Sequence, residues 1–121
     1  RHGCIETYLC GPALTRDHAQ QTGEILAPVL IDQRAGTGDP ACEATLQRYE
    51  ARLGRALAGV INLLDPQVIV LGGGLSNLRR LYRNLPACCG PHVFSDHFYT
   101  KIRPPAHGDS SGVRGAAWLW D

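Results

Sequence analysis

The sequence predicts an α/β fold, a single lobe in which helices pack on a parallel sheet. Three observations carry this expectation. Asp39 to about Leu64 reads as one long amphipathic helix, with Leu46, Tyr49, Leu53, Leu57, Val60, Ile61 and Leu64 recurring at steps of three and four. Gln67–Leu71 is a short, continuous, β-branched run, the pattern of a strand buried on both faces. Gly72-Gly73-Gly74 then leads from that strand toward another helix. Helix, strand and helix alternating in this way exclude an all-α or all-β domain.

The elements follow in order. Residues 1–10 read as an irregular loop. Gly11-Pro12 opens a short helix, because Pro suits a first turn, and Gly23 closes it. A second short helix is expected around Ile25–Gln33, with Pro28 near its start, and Ala35-Gly36-Thr37-Gly38 is a turn. Asp39-Pro40 combines an N-cap acid with proline at the first helical position. Within the long helix, Arg48, Glu50, Arg52 and Arg55 fall off the apolar stripe, while Gly54 and Gly59 give up roughly 1 kcal/mol each relative to Ala and permit close helix packing. Asp65-Pro66 ends it. Ser76 or Asn77 caps a helix to about Leu85, stopped by Pro86. Residues 87–98 give no clear pattern. Tyr99–Arg103 is a candidate strand halted by Pro104-Pro105; Gly108–Gly112 is a loop, and Val113–Trp120 a final apolar helix.

Composition narrows the function classes. The 121 residues suit one domain, residues 1–121, and 44% hydrophobic content is too high for disorder. A net charge of +1 with basic and acidic residues interspersed does not suggest nucleic-acid binding. No apolar run approaches the roughly 20 residues of a membrane span, and no signal-peptide core is visible, so a cytoplasmic location is expected. The chain has no methionine, and Arg1 reads as an internal position of a longer protein. Cys4, Cys10, Cys42, Cys88 and Cys89 are odd in number; without a secretion signal they read as reduced thiols, the last four as small core residues.

The glycine run has a chemical use. Without Cβ atoms, backbone can approach a flat ligand and adopt positive φ. Ligands of open α/β sheets bind at the carboxyl ends of strands, where helix N-termini present free N–H groups. A dinucleotide fingerprint would need Gly at position 77, where Asn stands, and a Walker A loop would need Gly-Lys-Ser/Thr, which does not occur. The same residues also suit a tight strand-to-helix turn with no ligand.

Asp65-Pro66 followed by Val68-Ile69-Val70-Leu71-Gly72-Gly73-Gly74-Leu75-Ser76-Asn77 resembles the adenosine-side segment of the ROK family (repressors, open reading frames and kinases). Gly3-Cys4-Ile5-Glu6-Thr7 is similar to the end of that family's zinc motif, C-x-C-G-x-x-G-C-x-E. The ending His107–Trp120 is similar to the C-terminus of bacterial fructokinases. The resemblance implies the C-terminal, nucleotide-binding lobe of the actin/hexokinase-like (ribonuclease H-like) fold, incomplete in this chain. It implies a cytoplasmic, ATP-dependent sugar kinase that uses Mg-ATP, with fructose as the expected acceptor. Other ROK kinases acting on glucose, mannose or an N-acetylhexosamine, and a sugar-responsive ROK repressor, are the alternatives.

The resemblance also implies roles for particular residues. Gly72, Gly73, Gly74 and Leu75 lie beside the nucleotide. Glu6 hydrogen-bonds a sugar hydroxyl, although the bare sequence also suits an exposed or capping acid there. Cys4 is one ligand of a structural zinc whose other ligands lie outside this sequence, so zinc is not expected to be retained; His2 reads as a solvated histidine. No catalytic residue is assigned: the family's base is an aspartate of the other lobe, Asp109 stabilises its own loop and Arg114 pairs at the surface. The Asp-x-Gly-x-Thr phosphate loop is missing too, so the isolated chain is expected to be inactive. A homodimer is the expected assembly.

Overall fold

The computed structural model describes residues 3–95 and 98–106. Three strands, β1 (Cys4–Tyr8), β2 (Val68–Gly72) and β3 (Lys101–Arg103), form a parallel sheet in the order β1-β2-β3. Four helices, α1 (Gly11–Thr22), α2 (Pro28–Gly36), α3 (Pro40–Leu64) and α4 (Arg80–Cys89), join them, with a 3₁₀ turn at Gly74–Asn77. The predicted α/β lobe is therefore present, and its middle strand is the β-branched run. The expected final helix lies outside the described residues. Among the described residues no helix is long and apolar enough to cross a membrane.

The helix boundaries follow their local chemistry. α1 ends where Gly23 turns to φ 81° and its N–H bonds Ala19 O at 2.8 Å. α3 begins where the Asp39 carboxylate accepts from the N–H groups of Ala41 (3.0 Å) and Cys42 (3.2 Å). It ends at Asp65, the one described non-glycine residue with positive φ, 47°. Aspartate tolerates this conformation better than most non-glycine residues.

Two expectations need correction. Residues 4–8 are a strand, not a loop. Cys4 pairs with Val68 and Tyr8 with Gly72, so tertiary pairing with a distant segment makes this element. The helix after the glycines starts at Arg80, not at Ser76 or Asn77, and Pro86 lies inside it. Pro86 is exposed, while Leu81, Leu85 and Cys89 on the same helix are fully buried. That burial outweighs the roughly 3 kcal/mol that an interior proline costs.

Ile5 and Thr7 share a sheet face with Ile69, Leu71 and Ile102, which sit in one core cluster with Leu57 and Ile61 of α3 and Leu81 and Leu85 of α4. The opposite face carries Cys4, Glu6, Tyr8, Val68, Val70, Lys101 and Arg103 and is half open. α1 and α2 pack outside α3. There His18 is buried, with Nδ1 2.7 Å from Thr45 Oγ1 and Nε2 3.9 Å from Cys42 Sγ. The single Thr45 hydroxyl proton goes to Ala41 O, so Nδ1 of His18 carries the proton it shares with Thr45. This cluster joins two helices and is closed to any substrate.

Of the two glycines inside α3, only Gly54 is a packing site. A Cβ there would lie 2.4 Å from Cys88 Cβ, whereas one on Gly59 would meet nothing within 4 Å. Cys42 and Cys89 are core residues and Cys88 is half-buried, whereas Cys10, expected in the core, is exposed at the position just before α1. Burial pushes the Cys89 thiol up to about 11 and raises the Cys88 thiol as well, which disfavours the thiolate in both.

Candidate functional site

The site is built where β2 runs out. Gly73 has φ 86°, and a Cβ on it would stand 2.8 Å from Leu9 O and 3.3 Å from the Tyr8 ring. Its glycine requirement is thus met by the fold alone, through positive φ and close backbone approach. Gly74 differs: it is exposed, its φ is not positive, and a Cβ there would meet nothing within 4 Å. Gly73→Ala is expected to lower stability by about 2 kcal/mol in urea melts, combining left-handed strain with the contact to Leu9 O, while Gly74→Ala leaves the melt unchanged. Equal losses from the two would contradict this.

The turn is held from inside. Ser76 Oγ donates to Gly73 O at 2.6 Å, and Tyr82 Oη donates to Ser76 O at 2.6 Å. Leu75 is 1% exposed, so its side chain serves the core and could offer a ligand only backbone.

Beside the turn opens a polar cleft of about 600 Å³. One wall is the last turns of α2, with Asp32, Gln33, Ala35 and Gly36; the other is Asn77, Arg79 just before α4, and Arg83 of α4. Glu43 and Arg80 border both. Arg80 is engaged on two sides. Its Nε and Nη2 donate to the Glu50 carboxylate at 2.6 and 3.2 Å, and its Nη1 and Nη2 to Glu43 at 2.8 and 2.9 Å. Asn84 Nδ2 adds bonds of 3.1 and 3.2 Å to Glu50. The Glu43 carboxyl is held below its usual range by its hydrogen bond to Arg80, against a smaller opposing effect of burial. Arg79 and Arg83, one turn apart, have no acidic partner among the described residues. Walls of opposite character suit a polar ligand that carries both hydrogen-bond donors and acceptors.

The expected site residues are not gathered in one pocket. Gly72, Gly73 and Gly74 form the turn that ends in Asn77 at the cleft. Glu6 lies mid-strand opposite Val70, on the half-open sheet face, and does not line the cleft. Cys4 is exposed on the same strand, and among the described residues no three His, Cys, Asp or Glu side chains could hold a metal ion. One thiol does not make a four-ligand site. Asp109, Arg114 and His2 lie outside the described residues.

Sequence patterns did not single out Asp32, Arg79, Arg80 or Arg83, and marked Asn77 only as a candidate helix cap and as the end of the family-like segment. Glu50, expected off the apolar stripe, is 3% exposed. The available signal was spacing: Glu43 and Glu50 are two helical turns apart and share a face.

The sequence profile of the ROK family matches residues 1–121. The chain belongs to the ROK family. It is 40% identical over 117 residues to the N-acetyl-D-glucosamine kinase of Photobacterium profundum, covering 97% of this chain and 39% of that protein. It is 36% identical to the N-acetyl-D-glucosamine kinase of Aliivibrio fischeri, with the same coverage of 97% and 39%. The chain thus spans about two fifths of the length of these relatives. Among solved structures, a ROK hexokinase from Thermus thermophilus superposes with a TM-score of 0.73 at 25% identity, over 91% of this chain and 37% of that one. A ROK glucokinase from Streptomyces griseus, in complex with glucose and AMPPNP, gives 0.74 at 22% identity, over 93% and 42%. This ROK chain therefore has part of the actin/hexokinase-like fold.

Proposed function

We propose that this ROK chain supplies the nucleotide-holding lobe of an ATP-dependent hexose kinase. The observation that carries the reading is the polar cleft at the carboxyl end of a parallel sheet, beside a glycine turn whose outer residue, Gly74, faces open space. The cleft takes the nucleotide, with Asn77, Arg79 and Arg83 on one side and Asp32 and Gln33 on the other. Arg guanidinium planes both stack on bases and donate hydrogen bonds, so they suit this place. Mg²⁺ accompanies the phosphates, and no residue of this chain is assigned to it. Glu6 accepts a hydrogen bond from a sugar hydroxyl, since carboxylates form strong charge-assisted bonds of this kind. Cys4 contributes one thiolate to a structural zinc site completed elsewhere. The base that takes the hydroxyl proton and the loop that holds the phosphates belong to a second lobe, and the isolated chain transfers no phosphate.

On the acceptor, relatives named N-acetyl-D-glucosamine kinase at 33–40% identity support N-acetylglucosamine. The His107–Trp120 ending supports fructose as the second reading. Exposed Ile25, Leu63 and Phe94 favour self-association, with a dimer as the proposed assembly.

Two measurements test the proposal. Adding Mg-ADP to the ¹⁵N-labelled chain is expected to shift the amides of Gly74, Asn77, Arg79 and Gln33; an unchanged spectrum at millimolar ADP counts against the cleft. A protein joining this chain to a complete first lobe is expected to phosphorylate N-acetylglucosamine with a higher kcat/KM than fructose or glucose. A preference for fructose would select the second reading, and turnover by the 121-residue chain alone would contradict the division of labour between lobes.

A further inference from the structure

Two sets of polar contacts, joined by the first turn of α4, connect the glycine turn to α3. Glu43 and Glu50, on one face of α3, grip Arg80 at the start of α4 through four hydrogen bonds of 2.6–3.2 Å. Two residues on, Tyr82 donates to Ser76 O at 2.6 Å, and Ser76 closes the turn on Gly73 O at 2.6 Å. We propose that Arg80 and Tyr82 are positioning residues for the nucleotide: they fix residues 73–83 against α3 and so set the distance between the turn and the basic wall of the cleft.

Three features favour this over a purely stabilising role. A buried ion cluster can be replaced by apolar side chains of similar volume with little loss of stability, so stability alone does not explain its place here. The guanidinium fork fixes direction as well as attraction, because five donors lie in one plane. The cluster also stands at the cleft: Arg80 lies between Arg79 and Arg83, which project one turn apart, and any rotation of α4 would move both. Tyr82 is half-buried with its hydroxyl on a carbonyl of the turn, so its packing and its bond can be separated by experiment.

The inference rests on the cleft being the nucleotide site. Its test compares Mg-ADP affinity with thermal stability, using the 121-residue chain. In the triple variant Glu43→Gln, Glu50→Leu, Arg80→Met the melting midpoint is expected to stay within about 5 °C of the parent while ADP binding weakens roughly tenfold or more, the scale on which small misplacements act. Tyr82→Phe, which keeps the ring and loses only the hydroxyl, is the second variant and is expected to weaken ADP about threefold or more with a similarly small change in midpoint. If the parent binds ADP and Tyr82→Phe binds it equally well, the positioning role is overturned whether or not the triple variant folds. If the parent itself gives no ADP-dependent shift, the nucleotide reading fails and the inference falls with it.

Discussion

Arg80→Ala is expected to unfold this chain more readily than any other single surface-polar substitution, at a cost of about 3–5 kcal/mol in chemical denaturation. The loss does not come from the attraction alone. Glu50 has a side chain only 4% exposed, and Arg80 is its cationic partner. Without Arg80 the carboxylate stays buried with Asn84 as its remaining side-chain partner. Glu43, with a side chain 39% exposed, would lose little, because water solvates it and screens its pair. Against a domain stability of roughly 5–15 kcal/mol the change is large, and the melting midpoint should fall by about 10–20 °C. A fall below about 3 °C would show that Glu50 finds another partner. Acid acts on the same cluster. Because the folded-state carboxyl of Glu43 is depressed below its usual value, its contribution is complete above that value and is lost as pH falls through the lower, folded one. Stability measured from neutral pH downward should therefore begin to drop in the carboxylate range, and this drop should be smaller in the Glu43→Gln chain.

Gly54→Ala is the second large effect, and its sign is decided by competing magnitudes. In an exposed helix the change would stabilise by roughly 1 kcal/mol. Here the new Cβ falls 2.4 Å from Cys88 Cβ, 2.8 Å from Cys88 C and 3.0 Å from Cys88 O. Two of the three are backbone atoms, so no rotamer change relieves them and α3 and α4 must move apart. Overpacking of this kind costs about 1–3 kcal/mol, and separating the helices also loosens Leu57, Leu81 and Leu85, so a net loss of about 2 kcal/mol is expected. Cys88→Ala should not rescue it, since alanine keeps the Cβ and the backbone. A Gly54→Ala chain as stable as the parent would mean that the two helices lie farther apart than described. Gly59→Ala supplies the control, because its Cβ would meet open space and should stabilise slightly.

The sequence made some parts of this molecule plain and others opaque for identifiable reasons. Asp39-Pro40 and Leu64-Asp65 bound α3 because caps and prolines act locally, on backbone groups a few residues away. β2 was legible because a short β-branched run between Asp65-Pro66 and the three glycines carries its own strand signal. β1 was not, because Cys-Ile-Glu-Thr-Tyr has no strong pattern of its own and becomes a strand by pairing with residues far along the chain. α4 was misplaced because the competition between a local breaker, Pro86, and the burial of Leu85 and Cys89 is settled by tertiary packing. In the site, the glycine turn announced itself, yet two of its assigned residues serve the fold first: Gly73 for its positive φ and Leu75 for the core. The cleft was invisible because its walls come from three helices and each contributes ordinary surface residues. Glu50 read as a charge off the apolar stripe and Arg80 carried no signal, since nothing in a single helix pattern shows that two acids on one helix meet a guanidinium on another.

The parallel pairing of β1 with β2 has a kinetic consequence. Tyr8 and Val68 are separated by roughly 60 residues, whereas Gly72 and Lys101 are separated by roughly 30, so closing the first loop costs only about 0.6 kcal/mol more. Equilibrium therefore hardly distinguishes the two closures, but the order of events does. α3 and α4 meet across 30 to 37 residues, about half the separation of β1 from β2, while β1 gains nothing until β2 is already held in place. The strand that carries Cys4 and Glu6 is expected to dock late in folding, and its register is copied from β2 at that step. The placement of the Glu6 carboxylate is thus inherited from the same strand that ends in the glycine turn.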